Sequence, residues 1–417
     1  MIQKGKKSYP AIMHVDADAF FASCEQALYP EFQNRPVIVG EDRGIAVALS
    51  YEAKRAGVTR GMLIQDVKRI CPDGIILSGD YETYALFSKK IFSILRRFSN
   101  EVEQYSIDEG FVNITGMDKV LNLSYNDIGK HIRGTILKEI GISVSVGIGK
   151  TKTLAKLASY LAKPARVVEI TEANILESLS GAKIGNVWGI GSSSAHYMNQ
   201  LGIYTADALY SKNMSFVAKH FTKPHQEIWH EMHGNMVYPI CIDEKTQYAS
   251  ISQTRTFGKT FGNKALIYQE LISNLEGACR KARKYGLLAG KVTIMLKRQD
   301  FSHDVYELRL PRPSSFPAQI APLLRPLFDG LYEKRAPYRG TGIILSQLQD
   351  EKVVQLNLLE NESHFNKLEH VYNAVDTLLS RYGKNTISIA SSHNAMKKNQ
   401  QTPQRIMKLP LLVGVCH

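Results

Sequence analysis

The sequence has no apolar run near the roughly 20 residues that a helix needs to cross a bilayer, so no membrane partner is expected. Lys4, Lys6 and Lys7 open the chain with no apolar segment behind them, so a signal peptide is not expected either. The five cysteines (Cys24, Cys71, Cys241, Cys279 and Cys416) are scattered, odd in number and never spaced as CxxC. That usage excludes a disulfide framework and a cysteine zinc site, and fits reduced thiols in a cytosol. His230 and His233 fall one residue short of the HExxH spacing of zinc proteases. Acidic residues are scarce relative to basic ones, 39 Asp plus Glu against 52 Lys plus Arg, giving a net charge of +13 and a pI near 9.3. Such a surplus favours a polyanionic partner.

What the chain does have is 417 residues, 44% hydrophobic and 22% charged. That is ordinary for a globular protein and too long for one core, so several domains are expected. Two stretches organise it. Ala11 to Val15 is a short apolar strand that runs straight into Asp16, followed by Ala17, Asp18, Phe20 and Phe21. Tyr105 to Ile114 is hairpin sequence in which Ile107, Phe111, Val112 and Ile114 favour a strand while Asp108 and Glu109 interrupt it. Alone, an Asp-Glu pair reads as a solvated turn. Two strand ends that both finish in carboxylates can instead meet side by side and hold hard cations through oxygen. A pair of such cations is the device of in-line phosphoryl or nucleotidyl transfer.

With Ser50-Tyr51-Glu52-Ala53-Lys54 and Ala162-Lys163-Pro164, these stretches resemble the Y-family of translesion DNA polymerases. The likeness is strongest to the UmuC-like ultraviolet-damage repair polymerases of Gram-positive bacteria and their mobile elements, and it runs over about residues 10 to 383. It implies an α+β multidomain right hand: palm at 1–24 and 81–180, small fingers at 25–80, a helical thumb at 181–240 and a linker at 241–249. A βαββαβ little finger at 250–348 and a tail at 349–417 would complete it. The implied activity is low-fidelity translesion DNA synthesis within the SOS response to DNA damage, by a cytoplasmic monomer that binds primer-template DNA and dNTPs.

By the same resemblance, Asp16, Asp108 and Glu109 are the catalytic carboxylates. They would hold two Mg²⁺ with help from the Ala17 carbonyl, and Mn²⁺ would substitute. Phe20, Phe21, Tyr51, Lys54 and Lys163 are assigned to nucleotide binding, although Phe20 also reads as core. Phe21 stands where the family places the aromatic that packs under the sugar C2′ and excludes ribonucleotides. Lys54 departs from the Arg common in the family, keeping the charge without bidentate geometry. Asp18 reads as structural.

Val187-Trp188-Gly189-Ile190-Gly191, with Leu201, Gly202 and Ile203 behind it, fits a helix-hairpin-helix. Gly189 and Gly191 would bring backbone N–H groups to a DNA phosphate; the plain alternative is an ordinary helix turn. From Ser250 to Leu348 sixteen Lys plus Arg stand against seven Asp plus Glu, +9 of the total. Arg255, Lys259, Lys297 and Arg298 are assigned there as phosphate contacts. The run Arg280-Lys281-Ala282-Arg283-Lys284 reads either the same way or as a solvated helix face. Gln355, Leu356, Leu358 and Leu359 resemble a peptide that binds the sliding clamp (the DNA polymerase III beta subunit), lacking its terminal aromatic. Val146-Gly147-Ile148-Gly149-Lys150-Thr151 is not a P-loop, because Val144 replaces the first glycine; Lys150 and Lys152 remain possible phosphate contacts. Two rivals are a catalytically silent, DNA-binding scaffold, against which the complete carboxylate set argues, and a nucleotidyl cyclase, against which the basic C-terminal region argues.

Overall fold

The structure, a computed structural model, describes residues 10–242, 248–334, 336–351, 362–382 and 386–392. Two compact units divide the chain near residue 243. The first opens with β1 (Ile12–Ala17), α1 (Phe20–Leu28), β2 (Val37–Val39), β3 (Ala48–Leu49), α2 (Tyr51–Arg55), α3 (Ile64–Ile70) and β4 (Ile75–Leu77). It continues with α4 (Tyr81–Leu95), β5 (Val102–Gln104), β6 (Glu109–Asn113), α5 (Met117–Leu121), α6 (Tyr125–Ile140), β7 (Val144–Gly149), α7 (Lys152–Ala162) and β8 (Val167–Glu169). Short helices complete it: α8 (Ile175–Ser180), α9 (Ser192–Gln200), α10 (Ala206–Tyr210), α11 (Met214–His220) and α12 (Lys223–Met232).

The main sheet has the order β5-β6-β1-β7-β8, and β3-β2-β4 form a smaller one. All neighbours in the main sheet are antiparallel except β7 and β8. Alternation along β1 decides which chemistry goes where. Met13, Val15 and Ala17 enter the main core, where Tyr84, Phe92 and Leu95 of α4 meet Ile128, Ile132 and Ile136 of α6. Ile12, His14 and Asp16 take the opposite face. There Ile12 packs with Phe111 and Ala155, His14 meets Ser159, and Asp16 meets Lys163 at the end of α7.

Glycine sets how closely α7 approaches that face. A Cβ on Gly147 would lie 2.0 Å from the Ser159 backbone nitrogen and 2.1 Å from the Ala155 carbonyl oxygen. One on Gly149 would lie 2.7 Å from the Leu154 Cβ. The glycines that suggest a phosphate loop in the sequence therefore serve helix-on-strand packing. Thr151 caps the helix, accepting from the Leu154 N–H.

The second unit holds β9 (Ser250–Phe261), α13 (Lys264–Lys284), β10 (Leu287–Arg298), β11 (His303–Ser314), α14 (Pro317–Leu331), β12 (Tyr338–Asp350) and α15 (Glu362–Tyr382). Its sheet runs β11-β10-β12-β9. Leu271, Leu275, Ile320 and Leu324 of the two helices share a core with Val292, Ile294, Ile343 and Leu345 of the strands. The βαββαβ order read from the sequence is present. The sequence suggests strands near Ile251–Phe257, Lys291–Arg298, Val305–Leu310 and Tyr338–Leu348, and each observed strand is longer, mostly by running past a glycine or proline. Pairing passes the irregularity between Ala289 and Lys291, and Pro311 and Pro313 are tolerated because β11 is an edge strand. Arg283 is not solvated: it forks onto both Asp376 oxygens of α15 at 2.7 and 2.9 Å, while Tyr372 of α15 stacks on Phe316.

Gly147→Ala should destabilise the protein by about 3 kcal/mol or more in urea unfolding, since a backbone clash cannot relax through a rotamer change. Gly191→Ala, where the added Cβ meets nothing within 4 Å beyond its chain neighbours, should lose only about 1 kcal/mol or less, the cost of alanine for glycine at an N-cap. Equal losses in both would remove the close-packing account of β7 and α7.

Candidate active site

The two acidic strand ends meet. β1 and β6 pair antiparallel with Asp16 directly opposite Glu109, and the Ala17 N–H donates to the Asp108 carbonyl at 2.9 Å. Among the described residues, ligand atoms of His14, Asp16 and Glu109 all lie within 4.8 Å of one another. The carboxylate of Asp108, on the bend just before β6, stands outside that group but adds negative potential at Asp16. Ala17 is buried beside it.

The charges are balanced unequally. Burial would raise Glu109, but the His14 ring 3.2 Å away and the hydrogen-bonded Lys156 ammonium outweigh it and hold the carboxyl down at about 2. Burial pushes Asp16 up to about 6; Lys163, 2.8 Å away, opposes this, and the carboxylates of Glu109 and Asp108 add to it. His14 has no exposed surface, and burial lowers it to about 4, so the imidazole is neutral at neutral pH. A buried group of like-charged oxygens, one of them poorly compensated, suits a hard divalent cation.

Asp18 is a structural hub. It is buried, accepting from the Ser145 hydroxyl at 2.7 Å, the Ser143 hydroxyl at 3.1 Å, the Ala165 N–H at 2.9 Å and the Tyr51 hydroxyl at 3.3 Å. One carboxylate thus ties the end of β1 to β7, to the turn after Lys163 and to α2. Lys54 reaches over the Tyr51 ring with its Nζ 4.3 Å from the centroid, and burial followed by the nearby Lys163 lowers its pKa. Tyr51, Lys54 and Lys163 therefore gather beside Asp16, as the sequence suggests. Phe21 is half-buried and stacks on Tyr84 at 4.6 Å and 18°, while the Tyr84 hydroxyl donates to Glu25 at 2.7 Å. Phe20 is 4% exposed and belongs to the core, against its assignment to nucleotide binding.

Sequence reasoning overlooked His14, Lys156 and Ser159. A signal was available: Lys152, Lys156, Ser159 and Lys163 recur at spacings of four, three and four, one stripe of a helix. Lys152 is buried and ion-paired to Glu103, and Lys150 pairs with Glu172, so their reading as phosphate contacts gives way to structural pairing.

The glycine hairpin lies between a 3-10 turn (Ile184–Asn186) and α9, with Gly189 at φ +84° and Gly191 as the N-terminal cap. Trp188 within it donates to the Tyr105 hydroxyl at 3.0 Å, packing the hairpin against the segment that leads into β6. In the second unit Arg255 turns toward α13 and meets Glu270 at 3.4 Å, and Arg298 is shared by Asp304 and Glu333 at 2.7 and 2.5 Å. Both charges are answered internally, against the expectation of phosphate contacts. Lys259 is exposed, and Lys297 lies 5.1 Å from the Phe301 ring centroid. Gln355, Leu356, Leu358 and Leu359 lie outside the described residues.

The chain matches the family model described as impB/mucB/samB over residues 15–160, and the C-terminal domain model of that family over 248–358. It is 29% identical over 395 residues to "DNA polymerase IV 2" of Bacillus subtilis (strain 168), covering 92% of this chain and 95% of the relative. It is 30% identical over 353 residues to "DNA polymerase IV" of Streptococcus pyogenes serotype M28 (strain MGAS6180), covering 83% and 96%. In fold it is similar to a Y-family polymerase chimera of Dbh and Dpo4, with a TM-score of 0.67 at 23% identity over 82% of this chain and 99% of the other. An insertion ternary complex of Dbh DNA polymerase gives 0.53 at 22%, over 82% and 99%.

Asp18→Ala leaves buried hydroxyl and amide donors without an acceptor and should cost roughly 2–4 kcal/mol of stability in urea unfolding. Asp18→Asn, which keeps an acceptor oxygen, should lose less. If the two substitutions cost the same, the carboxylate is not the hub described.

Proposed function

Because the chain belongs to the impB/mucB/samB family, within the Y-family of DNA polymerases, we propose that it extends a primer across damaged template by deoxynucleotidyl transfer. The observation that carries this reading is Asp16 facing Glu109 across β1 and β6, with Lys163, Lys54 and Tyr51 gathered beside Asp16. Asp16, Asp108 and Glu109, with the Ala17 carbonyl, would hold two Mg²⁺, or Mn²⁺ in their place. Such ions, when bound, lower the pKa of the primer 3′-hydroxyl and offset charge on the triphosphate and the leaving pyrophosphate.

The protein's own residues bind and orient. Lys163, now paired with Asp16, is a cation free to turn to triphosphate oxygens once Asp16 is otherwise compensated. Lys54 supplies a second positive charge, and Asp18 holds the Tyr51 hydroxyl beside them. Phe21, backed by Tyr84, offers a flat ring as the floor under the sugar. The first unit would act as palm, fingers and thumb, with Gly189 and Gly191 on DNA phosphate; the second would act as the little finger. A cytoplasmic monomer induced by DNA damage and tethered to the sliding clamp through residues 355–359 completes the reading.

Primer extension on a primed template with Mg²⁺ and dNTPs is the direct test. Wild type should extend, and Glu109→Ala should be slower by at least about a hundredfold, the scale of losing one charge-stabilising group. Equal extension by both would remove Glu109 from the site; none by either would favour the silent scaffold.

Phe21→Ala should weaken discrimination against ribonucleotides by roughly tenfold or more in the ratio of incorporation efficiencies. Unchanged discrimination would place the sugar selector elsewhere.

A further inference from the structure

Tyr105 and Tyr160 each take a hydrogen bond from the short segment that leads into the glycine hairpin. The Trp188 Nε1–H donates to the Tyr105 hydroxyl at 3.0 Å, and the Asn186 side-chain amide donates to the Tyr160 hydroxyl at 2.7 Å. An indole can only donate, so the direction of the first bond is fixed. A phenol has one proton and two lone pairs, and in each tyrosine a lone pair is now occupied. Among the described residues, no protein acceptor takes either hydroxyl proton. Both residues are 45% exposed, so both donors are open at the surface. Their positions are nonetheless fixed. The Tyr105 ring meets Trp188 edge-on at 5.5 Å and Phe111 at 5.7 Å, and Trp188 is held in turn by Phe111 and Tyr238. Tyr160 lies on α7 one turn beyond Lys156, whose Nζ is 4.9 Å from the Tyr105 ring centroid. One lysine thus neighbours both tyrosines, and they belong to one surface.

We propose that Tyr105 and Tyr160 are a phosphate-binding pair for the primer strand, held by Trp188 and Asn186 so that their hydroxyl protons are given to phosphodiester oxygens near the primer 3′ end. The pair deepens the polymerase reading above and rests on it. Two fixed donors without a protein acceptor call for an anion rich in acceptors, and a phosphodiester takes short, charge-assisted bonds. Placement selects the strand. Tyr105 is three residues before Asp108, and its partner Trp188 adjoins Gly189 of the hairpin assigned to DNA phosphate. A strand gripped at the hairpin whose 3′-hydroxyl reaches the carboxylates passes over this surface, whereas the incoming triphosphate belongs to Tyr51, Lys54 and Lys163. The residue type also fits. A further lysine here would stand close to the ion pair of Lys156 and Glu109 and compete with bound cations for the carboxylate. A phenol grips phosphate without adding charge, and so fixes the register of the strand with little counterion release.

The test is the affinity of the full-length protein for a fluorescein-labelled primer-template, followed by fluorescence anisotropy across a range of salt without nucleotide. Tyr105→Phe and Tyr160→Phe, each removing one oxygen, should weaken binding by about tenfold, the scale of a hydrogen bond to a charged group. The slope of log affinity against log salt should stay that of wild type, because no cation is lost. A neutral methylphosphonate, scanned through the last linkages of the primer, should weaken wild type at the contacted linkage and there erase the difference between wild type and the variant. Wild-type affinity in both variants overturns the pair while leaving the polymerase reading intact. Weakening with a shallower salt slope also overturns it, since the loss then comes from a displaced lysine. A difference erased by methylphosphonate in the template strand, and nowhere in the primer, overturns the strand assignment. Failure of wild type to bind primer-template removes the underlying polymerase reading instead.

Discussion

Three carboxylates crowd the end of one buried strand: Asp16 within β1, Asp18 just beyond it, and Glu109 opposite on β6. Like charges this close and this poorly hydrated destabilise a fold unless each is answered. The surrounding elements can be read as those answers. Asp18 is fully satisfied by hydroxyl and amide donors, and Glu109 is answered by Lys156 and His14. Asp16 alone is answered incompletely, by one lysine against burial and two acidic neighbours. The electrostatic strain is therefore concentrated on a single group, the one proposed to be shared by bound cations. An apolar strand can tolerate that because the strain is local and the pairing of β1 on both sides is unbroken.

Each carboxylate takes one of its answers from α7 or the turn after it: Lys156 for Glu109, Lys163 for Asp16 and the Ala165 N–H for Asp18. Lys152, Lys156 and Ser159 lie along one stripe that ends at Lys163, and Ala165 follows to reach Asp18. Their reach depends on how near the helix axis comes to the sheet, which Gly147 and Gly149 set. Lifting the helix by even an ångström would withdraw Lys156, Ser159 and Lys163 together, so packing and charge placement are one constraint at this site. The Trp188 contact to Tyr105 extends the same principle to the glycine hairpin, whose position is set by an aromatic bond to the segment leading into β6.

How much of this was legible in the sequence depended on range. Asp16, Glu109, Tyr51, Lys54 and Lys163 were readable because each sits in a short motif at a strand end, a helix start or a helix end. The βαββαβ order was readable because hydrophobic periodicity is local. Glycine punctuation misled once, by suggesting a strand end where the ladder passes through a bulge; the glycines that imitate a phosphate loop did not mislead, because the first glycine of that motif is absent. His14 and Ser159 were missed because their meaning lies in a contact between residues 145 positions apart. Phe20 and Phe21 are adjacent, and only the direction of α1 separates the core ring from the pocket ring.

The basic second unit shows why a charge count locates a partner better than it locates contacts. Arg255, Arg283, Lys291 and Arg298 each pair with a carboxylate of their own unit. Pairing does not change net charge, so the region still presents an excess positive field that attracts a polyanion over about a Debye length, ~8–10 Å at moderate salt. Direct phosphate contact requires N–H donors that are not already committed, and for the arginines most are. On the sheet face away from α13 and α14, Gly340 and Gly342 of β12 lie beside Thr256 and Thr254 of β9, with Lys297 across from Gly340. Lys297 and Arg339 both approach the exposed Phe301 ring, at 5.1 and 4.4 Å. Gly340 and Gly342 are themselves buried, and the region combines exposed threonine hydroxyls with two cations held by an aromatic ring instead of a carboxylate. Long-range attraction and short-range contact are thus assigned to different residues, and only the first is visible in composition.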